Sequence, residues 1–185
     1  MALKKLSKQA FATAFEEMLK TTPMDKIRVT HMAKAAGATP QTFYYHFRDK
    51  YELVAWIYLQ DYAAIVEDDT QSFSAQQIML MMIQFKKRKS FYQKAFTDKS
   101  QNAIEEYASQ HACLMAQKAV EANQQSPLTP QQAIAIAYHQ HGVMGLFKDW
   151  IFDRLAMDIQ QLADFQYQRT PDFLKQALQY YNPAT

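Results

Sequence analysis

Residues 27–50, IRVTHMAKAAGATPQTFYYHFRDK, constrain the fold of this chain more than any other stretch. Val29, Met32, Ala33 and Ala36 recur at i, i+3, i+4 and i+7, the spacing of one apolar helix face. Gly37 ends that helix, because glycine enters the left-handed conformation of a C-terminal cap without a steric penalty. Thr39 is placed to cap a second helix. Pro40 takes its first position, where a missing N–H removes no hydrogen bond. Phe43 and Phe47, four apart, turn the second helix back onto the first. Two short helices joined by a glycine turn make a helix–turn–helix, whose second helix fits a DNA major groove.

Charge is distributed in the same sense. Residues 1–50 carry nine Lys/Arg and four Asp/Glu, and the other 135 residues carry eleven and fourteen. A basic N-terminal part on a near-neutral chain is the electrostatic footprint of a nucleic-acid reader joined to something else. A merely solvated basic surface would give the same count, and the coincidence with the helix–turn–helix decides between them.

The rest of the chain reads as helices. Hydrophobic residues make up 49% and aromatics 14%, enough for a sizeable core, while three glycines and six prolines leave only short connections. No strand-type alternation appears, so the expected fold class is all-α. A first helix over residues 5–20 ends at Thr21-Thr22-Pro23. Asp49 is expected to cap a connecting helix from residue 50 to about 67. Glu67 to Ser72 is a polar break. Further helices are expected from about Ser74, around Phe91 and Phe96, from Asn102 to about Ala122, from Thr129-Pro130 to about Asp153, and from Met157 to Tyr181 with an interruption at Thr170-Pro171. This divides the chain into a helix–turn–helix domain over 1–50, a connecting helix over 51–70 and a regulatory and dimerisation domain over 71–185. No apolar run approaches the roughly 18 residues that span a bilayer. With the single Cys113 and no signal peptide, the expected setting is the cytoplasm.

DNA reading needs a helix start aimed at base edges, with phosphate anchors around it. Gln41 can pair with an adenine edge, and Thr42 and Pro40 can meet a base or a thymine methyl. Tyr44, Tyr45 and His46 have the reach for phosphate oxygens, which set register rather than sequence. Lys50 at the next helix start, Arg28 and Thr30 at the start of the preceding helix, and Thr39 complete the expected DNA-binding set. His46 and Tyr45 also fit plain packing roles, and Lys34 a solvated one.

The run Ile27-x-Val29, Met32-Ala33, Ala36-Gly37, Thr42-Phe43-Tyr44-Tyr45-His46-Phe47 and Lys50 resembles the N-terminal signature of the TetR family of bacterial transcriptional regulators. The resemblance covers about residues 5–66. It implies a three-helix DNA-binding domain, a connecting helix, a variable helical C-terminal domain, a homodimer and a two-fold-symmetric DNA operator. Two positions depart from the family pattern. Arg28 stands where Thr or Ser is usual, so that helix lacks its usual side-chain cap, and Ala38 replaces a larger apolar residue. Within the family, QTFYYHFRDKYELVAWIY and the later Tyr138, His139, Gly142, Gly145, Leu146 and Trp150 are similar to regulators of dihydroxyacetone kinase operons.

The C-terminal part should supply a dimer interface and a sensor. Ala137, Gly142, Gly145 and Trp150, with Leu162, Phe165, Phe173, Leu174 and Leu178, are expected to form an intersubunit four-helix bundle, because two helical glycines are disfavoured without a close approach to justify them. Intrachain packing would use the same residues. Met82, Phe85, Phe96, Tyr107, His111, Met115, Tyr138, His141 and Phe147 are the expected ligand-lining set, and they equally suit a plain core. His139/His141 and His111/Cys113 stand i, i+2 and face different sides of a helix, so no metal or other cofactor is expected. With no phosphate loop and no nucleophile signature, no enzyme is expected either. The leading expectation is a ligand-responsive dimeric repressor. The alternative is a regulator-like co-activator whose C-terminal domain docks a partner protein.

Overall fold

The computed structural model describes residues 2–66, 73–97 and 104–179, of which 2–5 and 65–66 are described by backbone alone. The polar break at Glu67 to Ser72, the expected helix start at Asn102 and the expected end of the last helix at Tyr181 lie outside them. The described residues form ten α-helices and one 3-10 turn, and no strand. In chain order the helices are α1 (Ala2–Thr21), α2 (Val29–Ala35), α3 (Pro40–His46), α4 (Lys50–Val66), α5 (Ala75–Lys87), α6 (Lys89–Thr97), α7 (Ile104–Gln124), α8 (Pro130–Ile151), α9 (Ile159–Arg169) and α10 (Asp172–Gln179), with the 3-10 turn at Met24–Lys26.

The helix ends obey local chemistry. Gly37 has φ +66° and closes α2. The Ala38 N–H donates back to the Ala33 carbonyl and the Gly37 N–H to Lys34, the two bonds of a Schellman cap. Asp153 does the same for α8 at φ 57°, with the Arg154 N–H on Asp149 and the Asp153 N–H on Trp150. The Asp49 carboxylate accepts the N–H groups of Tyr51 and Glu52 at the start of α4. Thr129 with Gln132, and Asp158 with Gln161, form reciprocal capping boxes.

The chain divides into two compact units, residues 1–60 with 88–104, and residues 61–87 with 105–185. The first therefore joins α6 to the helix–turn–helix, although α6 is distant in sequence. Its core holds Phe11, Phe15, Leu19, Met32, Phe43, Leu53, Ile57 and Tyr92, each at most 1% exposed. Phe11 meets Phe43 edge-on at 5.2 Å, and Phe15 meets Phe91 at 6.4 Å. In the second unit α5 packs against α9. Ile78 and Met82 of α5 bury Leu162 and Ala163 of α9. A second cluster joins Ala116, Ala119 and Val120 of α7, Ile136 of α8, and Leu174 and Ala177 of α10.

Candidate nucleic-acid interface

The recognition helix α3 has two unlike faces. Phe43 and Phe47 are buried among Phe11, Trp56 and each other, which fixes the helix axis. Pro40, Gln41, Tyr44 and Tyr45 are exposed on the other side. Tyr44 and Tyr45 are 59% and 67% exposed, an unusual state for side chains this large. The helix begins at Thr39, whose hydroxyl accepts the Thr42 N–H at 3.2 Å. Thr42 is half-buried, and its hydroxyl oxygen lies 3.0 Å from that of Thr39.

The flanking residues behave differently from one another. Arg28 and Thr30 are exposed at the start of α2, and Arg28 provides no side-chain cap there. His46 is half-buried, with its ring between Phe11, Tyr45 and Phe47. Lys50 is not extended into solvent. Its ammonium donates to the carbonyls of Met24 (2.7 Å), Asp25 (3.1 Å) and Ile27 (3.2 Å). A phosphate at this position would compete with three hydrogen bonds already made. Lys94, which the sequence did not single out, does the analogous thing from α6, donating to the carbonyls of Leu19 and Lys20.

The expected sensor and interface residues do not all come together in the second unit. Phe85, Phe147 and Trp150 form one aromatic group, with Phe85 and Phe147 at 5.2 Å. His111 forms another, edge-on to Tyr62 at 5.4 Å and stacked with Tyr107 at 6.3 Å. Burial and then the charge of Lys118 lower the His111 pKa. Met82 is buried and Met115 half-buried. Phe96, expected beside these, belongs to the first unit and packs on Tyr92. Tyr138 and His141 were expected inside and lie on the surface. Tyr138 is 83% exposed, and His141 is exposed with Nδ1 against its own helix at the Ala137 carbonyl. Their register on α8 points away from the face that buries Ile136.

The interface set divides similarly. Gly142, Gly145 and Phe165 are exposed, and Ala137, Trp150, Phe173 and Leu178 are half-buried. Leu162 and Leu174 were expected between subunits but are fully buried within their own unit, where α5 and α7 cover them. Burial raises the Cys113 pKa, so the thiol is held in its less nucleophilic form. No group of His, Cys, Asp and Glu able to hold a metal occurs among the described residues. No helix of those residues is long and apolar enough to cross a membrane.

Two family models match the chain. Residues 13–57 match "Bacterial regulatory proteins, tetR family", and residues 74–169, more than half the chain, match "Transcriptional regulator C-terminal region". The chain belongs to the TetR family of DNA-binding transcriptional regulators. It is similar to the HTH-type dhaKLM operon transcriptional activator DhaS of Lactococcus lactis subsp. lactis, at 27% identity over 92 residues, 49% of this chain and 49% of that protein. The match therefore spans about half the length of that relative. The solved structure of a dihydroxyacetone kinase operon activator DhaS superposes with a TM-score of 0.61 over 95% of this chain and 98% of that one. At 18% identity, this shows a shared fold.

Proposed function

We propose that this TetR-family regulator reads a two-fold-symmetric operator as a homodimer. Gln41 and Thr42 face base edges, Pro40 packs against a base, and Tyr44 and Tyr45 hold phosphates. The observation that carries this reading is the exposure of both tyrosines on a helix whose opposite face is fixed by Phe43 and Phe47. A phenol that far into solvent gains little from the fold and has the reach for a backbone oxygen. Arg28 and Thr30, exposed at the neighbouring helix start, lie where a second strand would pass. The dimer face is the exposed side of α8, with Ile134, Tyr138, Gly142 and Gly145, together with Phe165 of α9. It leaves room for a second helix, because nothing stands within 4 Å of a Cβ added at either glycine.

The regulatory unit would bias the spacing of the two reading heads, and an effector does this only by binding one conformation more tightly than the other. Both similar proteins are described as activators, which favours activation over the repression first expected. A second reading gives the regulatory unit a protein partner instead of a small molecule. The outward position of Tyr138 and His141 favours it, since these polar aromatics are unavailable to an interior ligand.

The test is binding of the purified protein to the duplex upstream of its own gene. Salt-sensitive, sequence-preferring binding with a dimer stoichiometry is the expected result. Gln41→Ala should relax preference at one base pair in each half-site, by about 1–3 kcal/mol. Sequence-indifferent binding by a monomer would refute the reading.

A further inference from the structure

Between α1 and α2 the chain must make a connection, residues 22–28, that sets where the helix–turn–helix starts. Its two ends carry backbone carbonyls with capacity to accept further hydrogen bonds, although that of Met24 already takes the Ile27 N–H within the 3-10 turn. Leu19 and Lys20 lie in the last turn of α1, where carbonyls lack intrahelical partners. Met24, Asp25 and Ile27 lie on and just after the 3-10 turn. Each end is met by one ammonium from a distant helix, Lys94 of α6 at the first and Lys50 of α4 at the second. Both lysines are half-buried. A lysine ammonium has three N–H donors, and Lys50 has three carbonyl partners.

From this geometry we infer that Lys50 and Lys94 are positioning residues of the DNA-reading head: paired ammonium caps that hold the α1–α2 connection, rather than phosphate anchors. The inference rests on the DNA-reading function proposed above. Local sequence leaves a role for Lys50. The N-cap of α2 is Arg28, whose carbonyl accepts the His31 and Met32 N–H groups but whose side chain caps none of the free N–H groups at the start of α2. Lys50 fixes it from outside by holding the Ile27 carbonyl, one peptide away. Lys94 then ties the far end of the same connection to α6, alongside the Phe15–Phe91 contact and the Arg88–Glu16 ion pair. Because α6 follows α5 after the single residue Arg88, the chain of the regulatory unit runs directly into this cap.

The experiment uses the full-length protein and a duplex that the wild type selects from a randomised pool. Affinity is measured across a salt series for Lys50→Met, Lys50→Arg and Lys94→Met, at a temperature where melting curves show each variant folded. Positioning predicts binding weaker by about tenfold or more at every salt concentration, with the slope of log K against log salt unchanged. It predicts this for Lys50→Arg as well, since a planar fork cannot converge on three carbonyls although the charge is kept. A phosphate anchor predicts instead that Lys50→Met flattens the slope by about one while Lys50→Arg binds nearly as wild type, and that result overturns the inference. Wild-type affinity in folded Lys94→Met overturns it for α6. The side-chain ammonium resonances of both lysines in the DNA-free protein give an independent reading: slow solvent exchange is expected, and fast exchange at both contradicts the caps. That reading stands even if the wild type selects no duplex, an outcome that would refute the DNA-reading function instead.

Discussion

The hydroxyl oxygen of Thr39 accepts the backbone N–H of Thr42 and lies 3.0 Å from its side-chain oxygen, so one residue both starts α3 and orients Thr42, which is proposed above to face DNA. Thr39→Ala should lower stability by about 1 kcal/mol, and Thr39→Ser should restore most of it. Urea denaturation measures the loss. DNA affinity should fall further than stability in Thr39→Ala, because the Thr42 hydroxyl loses its neighbour as well.

The two faces of α3 predict opposite outcomes for neighbouring aromatics. Phe43→Ala removes a ring that is 0% exposed and packed on Phe11, and should lower stability by about 3–5 kcal/mol. Tyr45→Ala, at a residue 67% exposed, should change stability by no more than about 0.5 kcal/mol. Its effect should appear in DNA affinity, weakened alike for all sequences because a phosphate contact carries no base information. A Tyr45 variant that bound DNA normally would remove this residue from the interface.

These contrasts show why some of the fold was legible in the sequence. The helix–turn–helix rests on short-range signals, and Gly37, Thr39, Pro40 and Asp49 each act within a few residues of where they stand. Thr129-Pro130 is readable for the same reason, and the Asp158/Gln161 box is an equally local signal. Lys50 and Lys94 were not legible in this way. Their partners lie 23–26 and 74–75 residues away, and a lysine in a sequence shows its charge but not the carbonyl it reaches. The grouping of α6 with α1 was hidden for the same reason. Tyr138 and His141 misled because an aromatic on an apolar helix is expected inside, and only the packing of Ile136 fixes which face of α8 is covered.

Acid should destabilise the regulatory unit through two histidines. His139 Nε2 lies 3.3 Å from the Thr170 hydroxyl, whose residue is 3% exposed. Burial lowers the His139 pKa below its ordinary value of 6.5. His111 is lowered in the same direction by burial and Lys118. Above the ordinary value both states are neutral and stability is fully present. As pH falls through it, the unfolded chain takes up protons that the folded chain does not, and stability drops until the folded histidines titrate. The melting temperature should therefore fall as pH goes from about 7.5 to 5, and His139→Gln should flatten part of that fall. A flat profile for the wild type would contradict both shifts.

The two helical glycines distinguish a single chain from the proposed dimer. Nothing lies within 4 Å of a Cβ added at Gly142 or Gly145, and neither has positive φ. In an isolated chain, Gly145→Ala should therefore stabilise α8 by about 0.5–1 kcal/mol, since alanine is the better helix former and meets no clash. If a second copy approaches α8 as proposed, the added methyl intrudes on a close helix–helix contact, and overpacking weakens association. The two effects have opposite signs and different concentration dependence. Sedimentation over a dilution series should show Gly145→Ala dissociating at higher concentration than wild type, while melting in the most dilute sample shifts upward. Gly145→Leu should separate the subunits more completely without unfolding either, because Gly145 is exposed and its added Cβ meets nothing within 4 Å in the single chain. Unchanged dimerisation in both variants would move the interface to another face.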